Sequence, residues 1–310
     1  MLTQPSPAGT GRITCTFRNS RTHLTELSST YPLRLLSPRS HSHSAAVYML
    51  TYGGGILSGD QTRTTIAVGE HCTLTLLTQG STKVFPKRKG VDKAAGQIVE
   101  AVLEQGGLLA VLPDPTTLFA GATYVQKQVF KCAVGASLCL LDWYTAGRAS
   151  RGEKWAFDSY ETRNEVWFAD RCVVRDAWLL QHDEHDAPRP PGKVKTYAAR
   201  MGIYECFANV ILVGPRMGAS TARIQAAFDS IVITSSGSGT SSSTTTTSSS
   251  SAASVLPKDL IWSASPIPDC PDGIVVRAAA LDTAGMRAFL ADVLFRDLEG
   301  EIGERWFARV

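Results

Sequence analysis

A chain of 310 residues with 44% apolar and 19% charged residues holds enough apolar material for a sizeable core, as one large unit or two small ones. Its formal net charge of +3 is too small to argue for nucleic acid or an anionic membrane, and no apolar run approaches the ~20 residues of a membrane-spanning helix. Residues 1–15, MLTQPSPAGTGRITC, lack a basic segment followed by an apolar core, so no secretory signal is expected. The seven scattered cysteines fit reduced, buried thiols in the cytoplasm better than a disulfide framework.

Residues 12–36 alternate weakly and predict a first strand pair ending in YPLRLL. SPRSHSHS at 37–44 reads as a polar loop. His41 and His43 would share a face on a strand and could bind a metal there, but a serine-rich loop leaves them solvated. The next run, 46–52, leads into TYGGGILSGDQTRTTIAVGEHCTLTLLTQGSTKVF at 51–85. Its glycines and a Gly59-Asp60 turn precede two strands, Gln61 to Val68 and Cys72 to Leu76. With Gly69-Glu70 as the turn between them, their alternation predicts antiparallel pairing. A phosphate-binding loop would need a helix start behind the glycines, and a β-patterned run follows instead. Gly53, Gly54 and Gly55 are read as allowing tight backbone geometry between strands.

KVFPKRKGVDK at 83–93 holds five Lys or Arg, either a basic hairpin tip or a docking patch for an acidic partner. Further strands are expected at 97–103, 108–112, 125–134, 137–144, 165–168, 171–180, 204–213 and 274–279. Many short strands between turns predict an all-β architecture of layered, mainly antiparallel, β-helix-like sheets. One short helix is expected around 222–228. Asp282 or Thr283 is placed to cap a C-terminal helix. Its Met286, Phe289, Leu290, Val293 and Leu294 form one apolar stripe, with Gly300 ending the pattern. Residues 181–199 read as a polar, proline-bearing loop insertion. Residues 235–254, almost pure Ser, Thr, Gly and Ala, bury too little apolar surface to offset their ordering entropy and are expected to be a disordered insertion.

Few residues suggest chemistry. His182 and His185 in HDEHD could chelate a divalent ion from a helix, but prolines follow and no apolar helical face supports one. Asp142 in LCLLDWY and Asp176 in CVVRDAWLL lie within apolar strands. There a carboxylate must be paired, solvated or bound to a cation, and Arg148 and Arg175 are plausible partners. No G-x-S-x-G, CxxC or Gly-Lys-Ser/Thr signature supports catalysis or nucleotide binding. Paired carboxylates such as Asp142 and Glu153 would suit an all-β glycoside hydrolase. A structural β-scaffold with no metal role is the other alternative.

GGGILSGD, LTLLTQGSTKVF, LPDPTTLFAGATYVQ at 112–126 and GRASRGEKWAF at 147–157 occur in an order that resembles the urease accessory proteins UreD, called UreH in some bacteria. The resemblance covers roughly 11–215 and, more loosely, the segment from 272. It implies a single UreD-like β domain over 1–310, with no activity of its own and no tightly bound cofactor. Such a protein binds the urease apoprotein and recruits UreF and, through it, the GTPase UreG, so that Ni2+ reaches the urease active site. Asp142 and Asp176 would then line a wet passage for nickel in transit. Gly54, Gly55, Gly59, Asp60, Arg148 and Glu153 fall in the most family-like motifs, as structural organisers first and partner contacts second. The two insertions depart from compact bacterial versions and point to a eukaryotic, fungal-type chain.

Deleting 235–254 should change the melting temperature little, because loop length adds only slowly growing entropy. A large drop on deletion would show that the tract is packed.

Overall fold

The computed structural model describes residues 7–38, 43–181, 197–236, 259–270 and 272–304. β1 (Thr10–Arg18) and β2 (Arg21–Ser29) form an antiparallel pair, as do β3 (Leu33–Leu36) and β4 (Ala45–Thr51) in a second sheet. Three coils follow. The first is β5 (Gln61–Val68), β6 (Thr73–Leu77) and β7 (Thr82–Val84). The second is β8 (Ala95–Leu103), β9 (Leu108–Leu112) and β10 (Thr116–Leu118). The third is β11 (Thr123–Cys132) and β12 (Ser137–Thr145). β13 (Ser159–Phe168) and β14 (Arg171–Gln181) extend the first sheet. β15 (Cys206–Val213), β16 (Leu260–Pro266) and β17 (Ile274–Ala280) extend the second. The first sheet runs β14-β13-β11-β8-β5-β1-β2 and the second β16-β17-β15-β12-β9-β6-β4-β3, with β10 joining β7 and β12.

The sheets are mixed, which corrects the expectation of mainly antiparallel pairing. β5 and β6 do not pair at all. β5 lies parallel to β1 and β8, and β6 lies parallel to β4 and β9. The cause is the turn. Residues 69–72, 104–107 and 133–136 are four-residue crossings from the first sheet to the second. At the third place of each stands a residue in the left-handed region: His71 (φ 58°), Gly106 (φ 70°) and Gly135 (φ 80°). The crossings stack. His71 N–H donates to Gln105 O (3.1 Å), and Gly106 N–H donates to Gly135 O (3.2 Å). A strand therefore finds its partner one coil later, running in the same direction.

The second sheet is covered on both faces, so β6, β9 and β12 are buried throughout, whereas β5 alternates strictly between exposed and buried. On β9 and β12, Leu109, Val111, Leu138 and Leu140 face the first sheet. Leu108, Ala110, Leu112, Cys139 and Leu141 join a cluster with the helices on the outer face. Met201 of α1 (Tyr197–Met201) packs instead on the cluster of Tyr144, Trp155 and Phe157. The outer-face helices are α2 (Gly218–Ser236), α3 (Thr283–Phe289) and α4 (Leu298–Ile302), with a π-turn at Leu290–Leu294 between the last two. The expected C-terminal stripe is core: Met286, Phe289, Leu290 and Leu294 are buried. Asp282 caps α3 by accepting from Gly285 N–H at 2.7 Å. The helix expected near 222–228 is longer than its apolar pattern, and Gly303 (φ 79°) rather than Gly300 ends α4. Of the insertion at 181–199, residues 182–196 lie outside the described residues, as do 237–254 of the Ser/Thr-rich one.

A Cβ on Gly106 would sit 2.4 Å from His71 Nδ1 in the neighbouring turn, whereas one on Gly90 (φ 78°) would meet no atom within 4 Å. Gly106→Ala should therefore lose about 1–3 kcal/mol in urea unfolding. Gly90→Ala, which has only the backbone strain, should lose about 1 kcal/mol. Equal losses would remove turn stacking as the reason for Gly106.

Candidate functional site

The inward residues of β11 and β13 follow one order. On β11 they are Tyr124, Gln126, Gln128 and Phe130; on β13, Tyr160, Thr162, Asn164 and Val166. Apolar residues stand at both ends and amides or hydroxyls in the middle. Strand register lines the middles up. Thr62, Gln97, Gln126 and Thr162 form one cross-strand row. Two residues on, Gln128, Asn164 and Asp176 continue a second. Across from them, the second sheet presents Asp142, Asn209, Arg277 and Ser263 in one row. The rows form a polar belt between two apolar clusters, one around Ile66, Phe130 and Leu140, the other around Tyr124, Tyr144 and Phe157.

Asp142 is the centre of the belt. Gln126 Nε2 donates to its Oδ1 (3.0 Å), and Thr162 Oγ1 (2.9 Å) and Asn164 Nδ2 (2.7 Å) donate to its Oδ2. Asn164 is itself oriented by Gln128 Nε2 (2.9 Å). None of these donors carries a charge. Burial pushes the Asp142 carboxyl above its ordinary 3.8, the three donors pull it back, and the nearby Asp176 adds to the rise. Asp176 differs in having a cation. Arg277 donates to its Oδ1 (2.7 Å), while Asn209 Nδ2 (2.7 Å) and Trp178 Nε1 (3.0 Å) donate to its Oδ2.

These contacts correct the expected partners. Arg148 pairs with Glu153 by two hydrogen bonds, and Arg175 lies 3.7 Å from Glu165. Arg277, 101 residues from Asp176, gave no local signal. The amides were missed too, although a polar residue at the inward place of an alternating strand, as in YVQKQVF, marks them.

Both carboxylates line a cavity of ≈ 280 Å³ with Tyr144, Asn209, Trp262 and Arg277. Asp142 also lines a smaller one of ≈ 30 Å³ with Met49, Thr78, Gln97 and Gln126. Met49, Thr78 and Gln97 recur in a third, of ≈ 70 Å³, that reaches Gly54. Thr78 recurs again in a groove of ≈ 810 Å³ edged by Gly80, Asp114, Gly147 and Arg148. Neighbouring cavities thus share walls along the belt and end where three of the sequence motifs converge. Asp114 ties the groove together, accepting from Gly80 N–H (2.9 Å) and from Arg287 (2.8 Å).

The other expected residues are placed as follows. Gly54 (φ 72°) and Gly59 (φ 85°) occupy left-handed turns, while Gly55 packs against Phe85 and Lys83. Asp60 accepts from Leu57 N–H (3.0 Å) in its own turn. Glu153 also accepts from Ala120 N–H (3.2 Å), and Arg148 holds its carboxyl below the ordinary range while lying 3.9 Å over the Phe119 ring. Asp142 and Glu153 have separate partners, Gln126, Thr162 and Asn164 for the first and Arg148 with Ala120 N–H for the second. His43 is exposed, and His41, His182 and His185 lie outside the described residues. Among the described residues, no three His, Cys, Asp or Glu side chains are grouped to hold a metal, and no helix is long and apolar enough to cross a membrane.

Two mixed β-layers built from stacked coils and enclosing a row of polar cavities define the class: a two-sheet β protein with helices on one outer face. The chain belongs to the UreD urease accessory protein family, whose model matches residues 8–305. It is 34% identical to urease accessory protein D of Oryza sativa subsp. indica over 91% of this chain and 90% of that protein. It is 33% identical to urease accessory protein D of Arabidopsis thaliana over 96% and 99%. A fungal relative, urease accessory protein 4 of Cryptococcus neoformans, is 28% identical over 93% and 90%.

Because Asp142 has a folded pKa above its unfolded one, its contribution to stability is fully present below the unfolded value and is lost as pH rises through the folded value. Asp142→Asn cannot titrate. The stability of the native protein relative to this variant should be greatest below about pH 4 and decline as pH rises. Urea unfolding across that range measures it, and a constant difference would mean that Asp142 does not titrate differently in the fold.

Proposed function

We propose that this protein serves urease maturation as a non-catalytic cytoplasmic scaffold. It binds the urease apoprotein, recruits UreF and, through it, UreG, and carries Ni2+ in transit along the belt. The observation that supports this most is Asp142: a buried carboxylate with only neutral donors, set where two cavities meet. A divalent ion leaving water needs oxygen donors, and a carboxylate in a low-dielectric wall supplies both charge and ligand. Amides and hydroxyls on either side supply weaker oxygens, which favours passage over storage. Family membership supports the urease role, and the groove where TQGS, LPDP and GRAS converge is the surface best placed for a partner.

Replacing Asp142 and Asp176 together by Asn tests the passage. Asp142 loses no ion pair, and Arg277, left behind by Asp176, is half-exposed. The double variant should therefore melt near the native temperature and bind its partners, while urease activation in cells falls. Normal melting with normal activation would remove the nickel path. A loss on the order of 3–5 kcal/mol with low soluble yield would instead mark the two acids as structural core residues, Asp176 through its ion pair with Arg277.

A further inference from the structure

We propose that Arg277 is a placeholder cation: it neutralises Asp176 until a divalent cation enters the cavity, and then gives way to it. This rests on the passage reading above and adds to it a residue that sets how firmly the ion is held.

The cavity offers more oxygen than its two carboxylates. Asn209 stands between Asp142 and Arg277 in the second-sheet row. Its Nδ2 is committed to Asp176 at 2.7 Å, which fixes the amide orientation and leaves Oδ1 buried without a hydrogen-bond partner. Tyr144 OH is buried and unpartnered as well. Both residues line the cavity, and they are only 6% and 4% exposed. Buried polar atoms without partners are costly, and a cation accepting their lone pairs relieves that cost. Asp142, Asp176, Asn209 Oδ1 and Tyr144 OH thus form an all-oxygen donor set for a divalent ion.

One of those donors is occupied. Arg277 holds Asp176 Oδ1 through one guanidinium nitrogen at 2.7 Å, not the two-pronged fork that makes Arg–carboxylate pairs strongest. Its side chain is 48% exposed, whereas that of Asp176 is 6% exposed. The guanidinium can therefore withdraw to water, and the carboxylate cannot follow. A cation that replaces it keeps Asp176 neutralised throughout, so no step leaves a bare buried charge. When the ion moves on, Arg277 returns. Competition of this kind weakens retention, as a carrier requires.

Equilibrium dialysis with nickel sulfate and the purified full chain tests the idea, with melting curves recorded alongside. Arg277→Gln should bind Ni2+ about tenfold more tightly than the native protein, the effect of losing one charge-assisted competitor. Adding Asp176→Asn should return the affinity to the native level or below. If Arg277→Gln does not fold, Arg277→Lys serves, because its hydrated ammonium pairs less well with a buried carboxylate and should also raise affinity. Unchanged or weaker binding in a folded variant overturns the placeholder. If that happens while the Asp142/Asp176 double variant still loses urease activation, the passage stands without Arg277. If the double variant activates urease normally, the passage itself is lost.

Discussion

A carboxylate buried without a counter-ion governs how the two layers fit. Asp142 is 7% exposed and accepts from side chains on β11 and β13 of the opposite sheet. Leaving it unsatisfied would cost more than a typical hydrogen bond returns, so its donors must be in place together. That requirement fixes register. Moving β11 or β13 by one residue would turn Gln126, Thr162 and Asn164 away from the interior and bring Lys127, Arg163 or Glu165 into it. The amides around Asp142 thus select one alignment of the layers, which uniform apolar faces would specify less sharply.

Much of the strand pattern was legible in the chain because period two survives wherever one face is exposed, as in β5 and β11. The Asp282 cap and the stripe of the C-terminal helix were legible for the same reason: both are local. The pairing was not. Alternation says which way side chains point and nothing about which strand lies alongside. A four-residue crossing such as GEHC at 69–72 looks like a hairpin turn. Its siblings EQGG and AVGA share no residue pattern with it beyond a third place that tolerates positive φ, so the coil repeat left no sequence repeat. At the site, the two aspartates stood out because carboxylates are rare in apolar strands. Their actual partners did not, because Asn164, Asn209 and Arg277 reach them only through the cross-strand rows.

The motif residues and the belt have different work within one fold. Asp60 closes its own turn, Glu153 joins Arg148 to the Ala120 backbone, and Asp114 joins Gly80 to Arg287. Each uses a carboxylate to fix a loop that has few apolar contacts of its own. The loops held by Asp114 and by the Arg148–Glu153 pair edge the groove that shares Thr78 with the inner cavities. Rigid loops lose less entropy when a partner docks, so these ion pairs can matter for association even where exposure makes them weak contributors to folding.

The two carboxylates also differ in a way that follows from position. Asp142 lies in mid-sheet, covered by the opposite layer, and among the described residues its hydrogen-bond donors are the amides of Gln126 and Asn164 and the hydroxyl of Thr162. Asp176 lies on β14, the edge of the first sheet, facing the outer strands β15 and β17, where an arginine can lie along the mouth with its stem packed and its head half in water. On the proposed passage, an ion moving inward would meet first a carboxylate that already has a cation, then one whose charge is opposed by burial and by the first carboxylate. The first exchange would be close to neutral in charge. The second would neutralise a carboxylate that the interior holds at a cost, drawing the ion past the mouth without making either position a deep trap.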